Sequence, residues 1–302
     1  MSRETFRRTL KGKGPLSLKI HPSKKHEGEI IQIAKAPVVT MASTTPIYDA
    51  IQIMAKEGFR RIPIANPGTK ALEGIITATD IIDYLGGGKK FEIIEQKFGG
   101  NFFKAINESI RLIMTKNVVS VKVSAKISEA IDLMTEKNLG GLPVVDEGNH
   151  VRAIITERDI AGIFADRISG INVSQVMSEK VVTALSKTTI FEAERTMTTQ
   201  GFRRLPIISD GKVIGIITTM DIIRFFGSGS VFKYLQSGTI IQVLNTPASE
   251  IATKNVSTIT PDADVGQAAK IMQDKNIGAI PVVEREKLVG MITERDFFKI
   301  IK

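Results

Sequence analysis

Two arginine pairs and four Thr-x-x-Asp tetrads are the residues of this 302-residue chain whose types and spacing could do chemistry. The stretches "GFRRIPI" (58–64) and "GFRRLPI" (201–207) set Arg60–Arg61 and Arg203–Arg204 between a phenylalanine and an apolar strand, where one of two adjacent side chains must point inward or along a cleft. An unpaired buried guanidinium is expensive, so each pair requires an internal carboxylate or a bound anion. Arg158 and Arg295 stand one residue before Asp159 and Asp296, at what reads as a helix N-terminus, which itself favours anions. The tetrads are Thr77–Asp80, Thr156–Asp159, Thr218–Asp221 and Thr293–Asp296. A threonine before a helix with an acid three residues on has the pattern of a capping box, worth about 0.5–2 kcal/mol at the cap, and that accounts for it without any ligand. Capping usually takes glutamate or glutamine at the third position and tolerates other caps. It does not require the uniform Thr and Asp seen here, although common descent of the repeats would supply it. Carboxylates able to take a ribose diol, arginine forks suited to phosphate and apolar strand ends able to sandwich a flat ring together describe a nucleotide site.

The elements that must position these groups repeat. From Thr40, Ser120, Thr183 and Thr258, each copy has alanine ten residues on (Ala50, Ala130, Ala193, Ala268) and methionine four further (Met54, Met134, Met197, Met272). Proline follows nine later (Pro63, Pro143, Pro206, Pro281), and then the tetrad after 14, 13, 12 and 12 residues. The variable gap contains turn-forming stretches ("ANPGTK", "DEGNH", "SDGK", "EREK"), where hairpin loops absorb insertions. Ile47, Ala50, Ile51 and Met54 have amphipathic-helix spacing, and "LEGIIT", "VRAIIT", "KVIGIIT" and "KLVGMIT" read as strands. Each unit is therefore strand, helix, strand, strand, helix in about 52 residues, too small to bury a core alone. Units one and three share "GFRR[I/L]PI", whereas units two and four share "KN[I/L]G[G/A][L/I]PVV" and "ITERD". This AB–AB pattern predicts two modules, each of one A-type and one B-type unit, joined around residues 166–173, with related joins inside each module. The expected boundaries are a basic arm at 1–34, a first module at 35–165 (units 35–86 and 111–165) and a second at 174–302 (units 174–226 and 249–302).

Composition narrows the function classes. At 42% hydrophobic and 24% charged the chain has ordinary globular composition. No apolar run is long enough to span a membrane and the N-terminus does not read as a signal peptide, so a cytoplasmic protein is expected. The chain has no cysteine, which excludes disulfides, thiolate nucleophiles and cysteine-based zinc sites. His21, His26 and His150 are scattered, and neither a metal site nor a catalytic group is expected of them. Of the formal net charge of +9, +6 falls within residues 1–35, a solvated leader that could touch nucleic acid or an acidic partner. "GGGKK" (86–90) lacks the P-loop pattern and follows a helix, so it reads as a flexible linker.

With these residues the chain resembles the tandem CBS-domain proteins, in which four CBS motifs form two Bateman modules, over roughly residues 35–302. It is similar to the nucleotide-sensing gamma subunit of AMP-activated protein kinase and its stand-alone archaeal relatives. The resemblance implies an α+β fold, a disc of four CBS motifs with adenosine ligands in clefts between paired units. It implies ribose contacts from Thr77, Asp80, Thr156, Asp159, Thr218, Asp221, Thr293 and Asp296. Phosphate contacts are implied for Arg60, Arg61, Arg203 and Arg204. Units two and four depart there, with Gly140–Gly141 and Gly278–Ala279, but fill the family's other basic position with Arg158 and Arg295. Adenine contacts are implied for Val39, Val119, Val182 and Ser257 on the first strands, and for Phe59, Leu139, Phe202 and Ile277. Sites whose phosphates crowd the same arginines would exclude one another, and two to four ligands per chain are expected.

The resulting expectation is a non-enzymatic sensor whose regulatory ligands are AMP, ADP or ATP, with no catalytic cofactor, acting on a protein partner as a monomer or homodimer. Three alternatives stand beside it. S-adenosylmethionine is a ligand of other CBS proteins, but the arginines favour phosphates over a sulfonium cation. A nucleic-acid regulator would use the basic arm, yet no helix-turn-helix or zinc-finger pattern is present. A pure scaffold would have its arginines paired internally.

Overall fold

The structure is a computed structural model that describes residues 18–20, 30–165, 167–235 and 238–301. Most of the basic arm, with His21 and His26, lies outside the described residues. The arm boundary at 34 needs correction: Ile30–Ile33 is a helical turn, and Ile30 is fully buried in the core of unit two.

Each unit is built as its periodicity requires. In unit one the helix Ile47–Glu57 buries Ile47, Ala50, Ile51 and Met54 completely and ends on Gly58 at φ 71°. Unit three ends its helix Ile190–Gln200 in the same left-handed conformation on Gly201, whereas units two and four use Asn138 and Asn276, the non-glycine residue type that best tolerates it. The antiparallel hairpins Arg61–Ala65/Leu72–Thr77, Gly141–Val145/Val151–Thr156, Arg204–Ser209/Lys212–Thr218 and Ala279–Glu284/Lys287–Thr293 follow, each with a register shift near its turn. The first strand of each unit is short. It runs parallel to the second, as Val121–Lys122 beside Val144–Val145, and in unit four it shrinks to the bridge Ile259–Val282.

Units pair by exchanging backbone. The segment leading into each unit bonds to the last strand of its partner, through Lys35–Ile154 and Thr115–Ile75 in the first module and Ser178–Met291 and Thr253–Ile216 in the second. Each exchange carries a unit's first strand to the mouth of its partner's Thr-x-x-Asp turn. The modules then meet through their helices. Thr219–Gly227 of unit three packs on Ile47–Glu57, and one continuous core joins units one and three. Between units two and four the contact includes the Phe164 and Phe297 rings, 5.4 Å apart, with Phe298 packed into the core of unit two.

The glycine-rich join is ordered, unlike a flexible linker. Gly86 and Gly87 are buried, and a Cβ on Gly87 would lie 2.8 Å from the backbone of Glu194, so their lack of a side chain lets the turn press against the unit-three helix. The joins themselves fold into helices Phe91–Phe98 and Phe102–Ile106 in the first module and Ile241–Leu244 in the second. Phe102 stacks on Phe226 at 5.7 Å.

Glu194 breaks the pattern of this core. Its position in the first helix corresponds to Ile51, Ile131 and Ala269, yet it is fully buried and neither carboxylate oxygen has a hydrogen-bond partner among the described residues. Burial pushes its carboxyl well above the ordinary glutamate value. The carboxyl therefore ionises more readily in the unfolded chain, and folding weakens as pH rises above the ordinary value of about 4.5. Glu194→Leu should raise unfolding stability at pH 8 by about 1–3 kcal/mol, the penalty of an unsatisfied buried polar group, with a smaller gain at pH 4.5. Urea denaturation at the two pH values checks both the sign and the difference.

Candidate functional site

All four tetrads form the same local structure at the start of a helix. The Asp Oδ2 accepts from the Thr backbone N–H at 2.8–2.9 Å and from the Thr hydroxyl at 2.6–2.8 Å. The capping box is thus real at Thr77, Thr156, Thr218 and Thr293. It engages one carboxylate oxygen and leaves the other outside the cap. That second oxygen accepts from Lys90 Nζ at Asp80 (2.6 Å), from Arg224 at Asp221 (2.5 Å) and from Lys299 Nζ at Asp296 (2.7 Å). At Asp159, burial raises the carboxyl above its ordinary value, against lowering by the Thr156 hydrogen bond and the charge of Lys35. Lys90 belongs to the "GGGKK" stretch read as linker, and its amino group also donates to Ile113 O at 2.9 Å.

The arginines converge from all four units at the junction of the modules, where two glutamates meet them. Glu157 and Glu294, the Glu of each "TERD", are the first helical residues after Thr156 and Thr293 and are almost completely buried. Glu157 accepts from Arg203 NH1 at 2.6 Å and Arg295 NH1 at 3.2 Å. Glu294 accepts from Arg60 NH1 at 2.6 Å and Arg158 Nε at 2.7 Å. Burial pushes Glu294 up, but Arg60, Arg158 and Arg204 outweigh it and hold the carboxyl at about 2. Arg158 also donates to the Asn276 side chain, and Arg295 to Met134 O at 2.8 Å.

Arg61 and Arg204 have no such relief. No carboxylate among the described residues hydrogen-bonds to either, and Arg204 donates to Gly278 O at 2.9 Å. Burial and neighbouring arginines, Arg203 beside Arg61 and Arg60 beside Arg204, bring both guanidinium groups down to about 10. Arg203 is instead raised, because its bond to Glu157 outweighs burial. Four of the six arginines share two buried glutamates and two bond to neither, so the cluster of six arginines and two glutamates carries four positive charges in excess.

The departure of units two and four from the paired-arginine pattern has a packing reason. A Cβ on Gly140 would lie 2.3 Å from Arg203 NH2, one on Gly141 2.3 Å from Arg61 NH1, and one on Gly278 2.4 Å from Arg60 NH2. The B-type glycines are the space into which the A-type arginines extend.

Four clefts open around this cluster, each pairing the first-strand region of one unit with the Thr-x-x-Asp turn of its module partner. The first, about 380 Å³, brings Val182, Phe202, Arg203 and Arg204 of unit three to Thr293, Arg295 and Asp296 of unit four. The second, about 330 Å³, sets Val119, Leu139, Gly140 and Gly141 of unit two against Thr77 and Asp80 of unit one, with Arg60, Arg61 and Arg203. The third, about 370 Å³, sets Ser257 and Ile277 of unit four against Thr218 and Asp221 of unit three, with Arg60, Arg158, Arg203 and Arg204. The fourth, about 260 Å³, joins Val39 and Phe59 of unit one to Thr156 of unit two beside Arg60, Arg61 and Arg158, but Asp159 does not line its wall.

The four repeats that build these clefts match a known family. A CBS-domain profile matches residues 29–87, 109–166, 173–228 and 248–302. The chain belongs to the CBS-domain family. Proteins of this family are generally regulatory. Protein MJ1225 of Methanocaldococcus jannaschii is 38% identical over 87% of this chain and 94% of its own. Its crystal structure, described as that of a proposed archaeal homologue of γ-AMPK, superposes with a TM-score of 0.86 at 37% identity, covering 90% of this chain and 99% of that one. An uncharacterized 33.4 kDa protein in a ribosomal RNA operon of Thermofilum pendens is 30% identical over 86% of both chains. The CBS-domain pair of protein MJ0100, crystallised with 5′-methylthioadenosine and S-adenosyl-L-methionine, is 28% identical over 43% of this chain and 95% of that one, at a TM-score of 0.35.

Glu157, Glu294, Lys90, Arg224 and Lys299 are the site residues that sequence reasoning missed. The signal for the two glutamates was present, since "ITERD" recurs in units two and four alone. Among the described residues no cluster of three His, Cys, Asp or Glu side chains could hold a metal, and His150 pairs with Asp146 at 3.0 Å. Among the described residues no helix is long and apolar enough to cross a membrane.

The depressed carboxyl of Glu294 fixes an acid dependence. Its folded value of about 2 lies below the ordinary 4.5, so its stabilisation is complete above pH 4.5 and is lost as pH falls through about 2. The stability difference between the wild-type chain and Glu294→Gln should therefore be constant from pH 5 to 7 and close toward pH 2, as measured by urea unfolding at each pH.

Proposed function

We propose that the chain is a non-enzymatic adenine-nucleotide sensor, binding AMP, ADP or ATP in the clefts between paired units and transmitting occupancy to a protein partner in the cytoplasm. The observation that carries this reading is the unbalanced charge of the central cluster: six arginines face only two glutamates, Arg61 and Arg204 pair with neither, and the cluster opens into all four clefts. A scaffold whose arginines served only internal pairing would not keep Arg61 and Arg204 without carboxylates at the floor of a cavity. Phosphates supply the missing anions, and guanidinium forks suit them. The second carboxylate oxygen of Asp80, Asp221 and Asp296, which line three of the clefts, is an acceptor for ribose hydroxyls. Phe59, Leu139, Phe202 and Ile277 offer apolar surface for adenine beside the backbone at Val39 in the first strand and at Val119, Val182 and Ser257 in the segments that precede it in the other units.

The same charge excess disfavours S-adenosylmethionine, whose sulfonium adds a cation. Each cleft volume of about 260–380 Å³ lies near the lower end for small-molecule sites, which suits one nucleotide apiece. The partner would read a shift between two states of the module pair, which a ligand can cause only through different affinity for the two.

The test is thermal unfolding with AMP, ADP, ATP, GMP, S-adenosylmethionine and inorganic phosphate. A ligand at 100 times its Kd should stabilise by about 2.7 kcal/mol per site. Asp221→Asn keeps an acceptor for the cap while removing the charge. It should weaken adenine-nucleotide binding about tenfold or more with a small change in the ligand-free melting temperature. Stabilisation by S-adenosylmethionine alone, or by none of these, would reject the reading.

A further inference from the structure

Glu157 and Glu294 are not placed as ordinary first-turn acids. An acid after a threonine cap gains from the helix dipole while facing water, whereas these side chains are 4% and 2% exposed. The corresponding residues of units one and three are Ala78 and Thr219, so the helix start does not itself require a carboxylate. Their partners are distributed in one way only. Glu157, in the first module, is held by Arg203 and Arg295 of the second. Glu294, in the second module, is held by Arg60 and Arg158 of the first. Each carboxylate crosses the junction to reach both of its arginines.

Those four arginines also line the clefts. Arg60 borders the second, third and fourth, Arg158 the third and fourth, Arg203 the first, second and third, and Arg295 the first. We propose that Glu157 and Glu294 are specificity-determining residues of the clefts: each is a built-in counter-anion occupying arginines that a ligand phosphate must take or share, so that ligand phosphates and the glutamate clasp between the modules oppose one another. This rests on the nucleotide reading and adds to it what sets the tolerated number of phosphates. A guanidinium with five N–H donors can serve two anions, but the second meets the first as a like charge across a few ångströms, in surroundings that screen poorly. The opposition grows with the negative charge the ligand brings. It is absent for a ligand that brings none. The glutamates thereby favour less-charged adenosine compounds over polyphosphates, and a polyphosphate that does bind draws arginines away from the contact that holds the modules together.

Binding of adenosine, AMP, ADP, ATP and inorganic pyrophosphate by the full chain, measured calorimetrically for wild type and Glu294→Gln, tests this. The expected result is tenfold or tighter binding of ADP and ATP in the variant, a smaller gain for AMP, and adenosine within about twofold. Tenfold corresponds to about 1.4 kcal/mol. Unchanged affinities would overturn the proposal, as would an equal shift of every ligand including adenosine, which a merely structural loosening would give. Should wild type bind no adenosine compound, the nucleotide reading fails separately and pyrophosphate decides the inference: tighter binding by the variant supports it, and equal binding overturns it. Should Glu294→Gln fail to fold, Glu157→Gln carries the same comparison through Arg203 and Arg295.

Discussion

Six guanidinium groups and two carboxylates meet where the two modules touch, and the rest of the molecule is arranged around that imbalance. Two fully neutralised pairs would be a structural device of uncertain net worth, since buried ion pairs often do little better than apolar packing. Four surplus positive charges are different, because their mutual repulsion is relieved only by further anions. The carboxyl of Glu294 held at about 2 and the guanidinium groups of Arg61 and Arg204 brought down to about 10 are the two sides of that field.

The two unit types divide the work of building it. A-type units supply paired arginines at the start of the second strand, and B-type units supply glycines where those arginines need room, together with the glutamate that holds the arginines of the opposite module. The reciprocal backbone bonds at Lys35, Thr115, Ser178 and Thr253 bring each first strand to its partner's tetrad, so no cleft belongs to a single unit. A chain of four identical units would lose either the arginines or the space for them.

Much of this was legible in the sequence because it repeats locally. The amphipathic first helices, the hairpins with their variable turns, the AB–AB alternation and the capping tetrads all follow from spacing within about 52 residues. The glutamate clasps were not legible, for a physical reason: Glu294 and Arg60 are 234 positions apart, and at its own position Glu294 reads as an acid at a helix N-terminus. Lys90 was hidden in a glycine-rich stretch whose meaning depends on a tight approach to the unit-three helix, which appears only when the modules are docked. Arg60 and Arg203 required a partner, and both candidate answers, an internal carboxylate and a bound anion, keep their force, because the carboxylates found are too few.

Sensing of the proposed kind would act through the junction between the modules. An anion among the arginines changes the balance of a contact shared by both modules, and a two-state junction responds in proportion to the difference in affinity. The most direct measurement is a crystal structure of the full chain grown with ADP. The account predicts adenine against a first-strand backbone, the ribose on the second carboxylate oxygen of a tetrad aspartate and the phosphates among Arg60, Arg61, Arg203 and Arg204. ADP absent from all four clefts, or bound with its phosphates directed away from the arginine cluster, would contradict it.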